Sequence, residues 1–176
     1  MALAPLLSVA AAGALALPAV VQVGDQVLAA ASCGTRETLW IDHYVATLYV
    51  PPGDAADAAL LDPRRPKALE IHLVTTRFMP GEIPGKYRRA LEDDVDEQSM
   101  ERLRDAYRLL RPGDVIRITY APGPGVSVSV NHRLILTSPA HHAVESILAT
   151  WADGKPLHRH LRTVLAKHPC PTITTG

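Results

Sequence analysis

Cys33-Gly34-Thr35-Arg36-Glu37-Thr38-Leu39-Trp40-Ile41-Asp42-His43-Tyr44-Val45-Ala46-Thr47-Leu48-Tyr49-Val50-Pro51 is dense in β-branched and aromatic residues and runs into the breaker Pro51-Pro52-Gly53. It reads as extended chain in a sheet. Near its start stands Arg36, a cation that is costly to bury without a partner. Two partners suit it: an anionic or carbonyl ligand, or a structural carboxylate such as Glu37, Asp42 or one on a helix. Tyr44 lies eight residues further on. An unbroken strand puts both on one face but holds them roughly 26 Å apart, too far to share a small ligand. For Arg36 and Tyr44 to line one cleft, the chain must turn or bulge near Trp40-Ile41-Asp42.

Outward from this stretch the pattern alternates between strands and helices. Val20 to Gln26 reads as a short strand with a turn at Gly24-Asp25. Residues 54–62 are alanine-rich behind an Asp54 cap, a short helix. Lys67 to Thr76 alternates Leu69, Ile71 and Leu73 with Glu70 and His72, a strand with one wetter face. Arg77 to Gly85 is a punctuated loop, and a helix carrying Tyr87 and Leu91 begins near Pro84. A second helix spans about 96–111 on a Met100, Leu103, Tyr107, Leu110 stripe. Val115 to Tyr120 and Val126 to Leu136 read as strands joined through Ala121-Pro122-Gly123-Pro124-Gly125. Two helices close the chain, over about 139–152 and 157–167. The order implies an α+β fold with helices gathered against a large, mostly antiparallel sheet.

Composition narrows the function. The 176 residues suffice for one domain with a real core. Lysine plus arginine and aspartate plus glutamate number 18 each, so the net charge gives no argument for nucleic acid as a partner. The histidine pairs His141-His142 and His158/His160 do not share helix faces, and the cysteine spacing fits no zinc site. No metal and no cofactor is expected. Residues 1–19 hold no charged side chain and include Ala14-Leu15-Ala16. They read as a secretory signal, which makes the mature protein exported, periplasmic in a Gram-negative cell, without a stable membrane span. Residues 20–168 then form the domain and 169–176 a flexible tail. In an oxidising compartment Cys33 and Cys170 can pair; the alternative is two separate thiols.

Several segments together resemble the chalcone isomerase-like family, in its small exported bacterial branch. They are Gly34-Thr35-Arg36 with Tyr44 to Tyr49, Gly113-Asp114-Val115 to Tyr120, Pro122 to Val126, Asn131, Ser146-Ile147-Leu148, and Trp151 to Pro156. The resemblance implies an open-faced β-sandwich with a ligand cleft between sheet and helices. It implies that Arg36 matches the family arginine that holds a phenolate and steadies oxyanion charge. Tyr44 falls where the catalytic members carry threonine. Tyr87 matches the family tyrosine, Ser146 the C-terminal serine or threonine, and Asp94 falls near a position that is lysine or asparagine in the family. Arg77 is a weaker second cation at the mouth of the loop. The expectation is a non-catalytic binder of a small hydrophobic ligand with a carboxylate or enolate head, contacted by Arg36, Tyr44, Tyr87, Arg77 and Ser146. The alternatives are an isomerase of the chalcone type, using Arg36, Tyr87 and Ser146, and a structural domain with no ligand.

Overall fold

The quoted stretch is a hairpin, not one strand. In the computed structural model, which describes residues 17–38, 41–77, 79–92 and 94–139, β2 (Gln26–Thr38) runs up and β3 (Ile41–Val50) returns beside it. β1 (Val20–Val23) pairs with the start of β2 across the Gly24-Asp25 turn, where Gly24 takes φ 58°. The chain continues through α1 (Ala56–Leu61), β4 (Lys67–Leu73), α2 (Gly85–Glu92) and α3 (Glu97–Arg108). β5 (Val115–Ala121), β6 (Gly125–Val130) and β7 (Arg133–Ser138) complete one seven-stranded sheet in the order β1-β2-β3-β4-β5-β6-β7. Every neighbouring pair is antiparallel.

Two local readings change. The segment from Val126 to Leu136 is two strands, because Asn131 and His132 both take positive φ, 49° and 65°, the geometry that turns a two-residue hairpin. The Asn131 side chain secures that turn, accepting from Val115 N at 2.9 Å and donating to Asp114 Oδ1 at 2.8 Å. The cap of α1 is Ala55 and carries no side-chain bond, so Asp54 does not cap it. Instead α1 is held from its other end. Buried Lys67 donates to the carbonyls of Leu60 and Asp62 at 3.0 and 2.8 Å, with its Nζ 5.5 Å from the Tyr120 ring centre. The expected helices beyond residue 139 lie outside the described residues.

Burial explains the two faces of the sheet. Ala46, Leu69, Ile71, Ile116, Ile118, Val128 and Leu136 pack with Leu91 of α2 and with Met100 and Leu103 of α3. That is the helix side. Asp96 caps α3: its carboxylate accepts from Ser99 N at 2.9 Å and so satisfies one of the free amides of the first turn. On the opposite side the sheet curls until Val21, Val23 and Leu28 lie against Tyr49 and Ala68. Glu70 and His72 therefore are not on a wet face: they are buried, at 1% and 7% exposure.

Candidate ligand site

The hairpin places Arg36 directly opposite Tyr44. Residues so paired sit about 5 Å apart rather than the distance an unbroken strand imposes. The turn that joint placement requires is there. It is sharpened by a bulge: Arg36 pairs with Tyr44 but Glu37 with Asp42, which leaves His43 as the extra residue. The His43 carbonyl accepts from Val74 N at 2.9 Å and Thr75 N at 3.2 Å, tying the Arg77 loop to this bulge. Arg77 itself is exposed, its backbone N–H donating to Thr75 Oγ1 at 3.1 Å. Tyr44 is half-buried against the helix-side core and stands opposite Leu73 of β4. Arg36 shares the helix-side face of the hairpin with Tyr44, and Tyr87 sits four positions before the core residue Leu91 on α2. Ser146 lies outside the described residues. Asp94 is in the α2–α3 connection, where its carbonyl accepts from Ser138 Oγ at 2.8 Å.

The opposite face carries a polar row that alternation alone did not reveal. Cys33, Thr47, Glu70, Arg117 and Ser129 are successive partners across five strands, β2 to β6. Glu70 Oε1 accepts from Arg117 Nε at 2.6 Å and from the second guanidinium nitrogen. Glu70 Oε2 lies 3.3 Å from His72 Nε2 and 3.0 Å from the Tyr49 hydroxyl, which is also 3.0 Å from the Pro18 carbonyl. That hydroxyl donates to one of the two at a time. Burial pushes the Glu70 carboxyl pKa up. The bonds from His72, Arg117 and Tyr49 and the Arg117 charge outweigh burial and hold it below the usual value. Burial, then the Glu70 charge and hydrogen bond, push the Tyr49 phenol well above its ordinary range. Every polar atom of Glu70 is thus engaged within the protein, which marks the row as an internal brace of the sheet rather than a ligand site. The missed signal was complementary charge: Glu70 and Arg117 stand on two strands whose polar faces look alike.

Cys33, at one end of this row, is disulfide-bonded. The other cysteine of the chain, Cys170, lies outside the described residues. Elsewhere a cavity of about 270 Å³ between α2 and α3 is lined by Glu82, Ile83, Arg88, Arg104 and Arg108. Carboxylates already engage its cations, Arg88 with Glu92 at 3.2 Å and Arg104 with Glu97 at 2.9 Å. Among the described residues no three histidine, cysteine or acidic side chains gather as a metal site. None of their helices is long and apolar enough to cross a membrane.

A curled antiparallel seven-stranded sheet with a few helices on one face defines the fold class. Residues 10–165 match the family model described as chalcone isomerase-like, and the chain belongs to that family. Among solved structures it is similar to the Arabidopsis thaliana fatty-acid binding protein, with a TM-score of 0.50 and 16% identity. That likeness covers 85% of this chain and 90% of the other. At that identity the likeness speaks for the fold. No curated protein sequence matches the chain.

Proposed function

We propose that this protein is a non-catalytic binder of a fatty-acid-like ligand, a hydrophobic body with a carboxylate or enolate head. The cleft lies between the helix side of the sheet and the helices, in an open-faced β-sandwich. The observation that carries the reading is the pairing of Arg36 with Tyr44 beside the His43 bulge. It supplies a cation position and an aromatic wall about 5 Å apart on the face that the helices cover. The structural neighbour is a fatty-acid binding protein, which supports the same reading. Arg36 holds the acidic head, Tyr44 and Tyr87 flank it, and Arg77 and Ser146 complete the contacts.

Chalcone-type isomerisation is the second reading, and Tyr44 speaks against it. A ring stands where the catalytic members carry the hydroxyl that orders a water on the substrate carbonyl. Export is part of the proposal. The uncharged apolar stretch of residues 1–19 reads as a signal, and a disulfide at Cys33 suits an oxidising compartment. The experiment is a paired assay of wild type and Arg36→Ala with oleate and with a 2′-hydroxychalcone. The expected result is Arg36-dependent oleate binding with no flavanone formed. Arg36-dependent flavanone formation would establish the isomerase instead.

A further inference from the structure

The fold begins before β1. Ala19, the residue ahead of that strand, already has its carbonyl in the sheet, accepting from Ala30 N at 2.9 Å. The Pro18 carbonyl lies 3.0 Å from the hydroxyl of Tyr49, a side chain with 0% exposure. Leu17 and Pro18 are themselves half-buried. β1 follows at once, and its Val21 and Val23 are buried against Leu28, Tyr49 and Ala68. Leu17-Pro18-Ala19 therefore belongs to the folded body, although composition alone runs the apolar leader on to residue 19. A cut after Ala19 would take the acceptor from the Ala30 N–H and the carbonyl from beside Tyr49, at the edge strand of the sheet.

A secretory leader is cut after a small-x-small triplet and runs to roughly 15–30 residues. Among the triplets that end within that range, Ala14-Leu15-Ala16 alone has a small residue at both ends. Ala10-Ala11-Ala12 and Ala12-Gly13-Ala14 have the form but end too early. Leu17-Pro18-Ala19 opens on a leucine, and a cut behind it breaks into the fold. Ala29-Ala30-Ala31 lies inside β2, where a cut would discard β1. Leader length and the start of the fold thus converge on one bond.

We propose that the exported chain is processed at the Ala16–Leu17 bond, so that the mature protein begins at Leu17 and its first residues are already part of the sheet. This rests on the export reading of the N-terminal stretch, and not on the ligand. In the step a leader peptidase of the exporting cell adds water across the peptide bond. The C–N bond breaks, Ala16 leaves with the leader as a carboxylate, and Leu17 keeps the nitrogen as an ammonium. Every contact made by Pro18, Ala19 and β1 survives the cut.

The test is secretion of the full chain from a Gram-negative host under its own leader, for wild type, Ala16→Phe and Ala19→Phe. The recovered proteins are read by intact mass and N-terminal sequencing. Wild type is expected to begin at Leu17. Ala16→Phe puts a large side chain at the cut and should yield no chain that begins at Leu17. Ala19 is exposed and lies beyond the cut, so Ala19→Phe should be processed at the same bond as wild type. A wild-type chain that begins at Val20, or at any residue past the leader other than Leu17, overturns the inference and leaves the export reading standing. So does an Ala16→Phe chain that still begins at Leu17, or an Ala19→Phe chain left uncut. A wild-type chain that keeps residues 1–16 in every fraction removes the export reading and this inference with it.

Discussion

Replacing Arg117 by methionine tests the brace on the far face of the sheet. In the wild type Glu70 is 1% exposed and two guanidinium nitrogens reach its Oε1, one of them at 2.6 Å. Removing one member of a buried ion pair strands the other, at a cost of about 3–5 kcal/mol. Against a total stability of about 5–15 kcal/mol for a domain, that is a large fraction. Tyr49 and His72 still reach Oε2, which favours the lower end of the range. The assay is urea unfolding at pH 7 and again near pH 4.5. Because the folded-state Glu70 pKa is lowered, wild type holds this stabilisation above the unfolded carboxylate pKa. It loses it as the pH falls through the lowered folded value. In Arg117→Met burial is no longer offset by the guanidinium, so the Glu70 pKa rises and protonation relieves the stranded charge at milder acidity. The deficit should therefore narrow between pH 7 and pH 4.5. The double variant Glu70→Leu, Arg117→Met should recover most of the loss. A deficit under about 1 kcal/mol at pH 7, or one that does not change with pH, would refute the brace.

Cys33→Ser should lower unfolding stability by about 2–5 kcal/mol, the usual cost of removing a native disulfide. The native chain should show no free thiol when denatured without reductant; two titratable thiols would contradict it. Gly125→Ala should destabilise by at least about 1–3 kcal/mol in thermal melts, because residue 125 has φ 83° and an added Cβ would collide with the Ser138 carbonyl. An unchanged melting point would contradict the turn geometry. Tyr44→Thr, which restores the family's catalytic residue type, should weaken oleate binding at least about fivefold and cost about 1–2 kcal/mol of stability through lost packing. It should not create flavanone formation, since only one catalytic contact returns.

The sheet was legible where alternation was regular and breakers were strong. Strand β4, strand β5 and the helices around Leu91 and Met100 follow directly from periodicity. The hairpin inside the opening stretch was not, because neither glycine nor proline marks residues 39–40 and the run is equally β-prone on both sides. Only a shared cleft for Arg36 and Tyr44 demands a turn there. The β6–β7 turn was hidden in the same way, with Asn131-His132 standing in for the glycine that usually permits positive φ. Glu70 and His72 misled because alternation reports two faces and cannot say that the sheet curls over the polar one. Of the site, the positions of Arg36 and Tyr44 were readable from the family resemblance.

The central claim is that Arg36 anchors an acidic, hydrophobic ligand. Native mass spectrometry of the purified protein incubated with oleate tests it most directly, with Arg36→Ala alongside. The account predicts one retained oleate per chain in wild type and none in Arg36→Ala at equal protein concentration. No retained oleate in wild type, or equal retention by the two proteins, would contradict it.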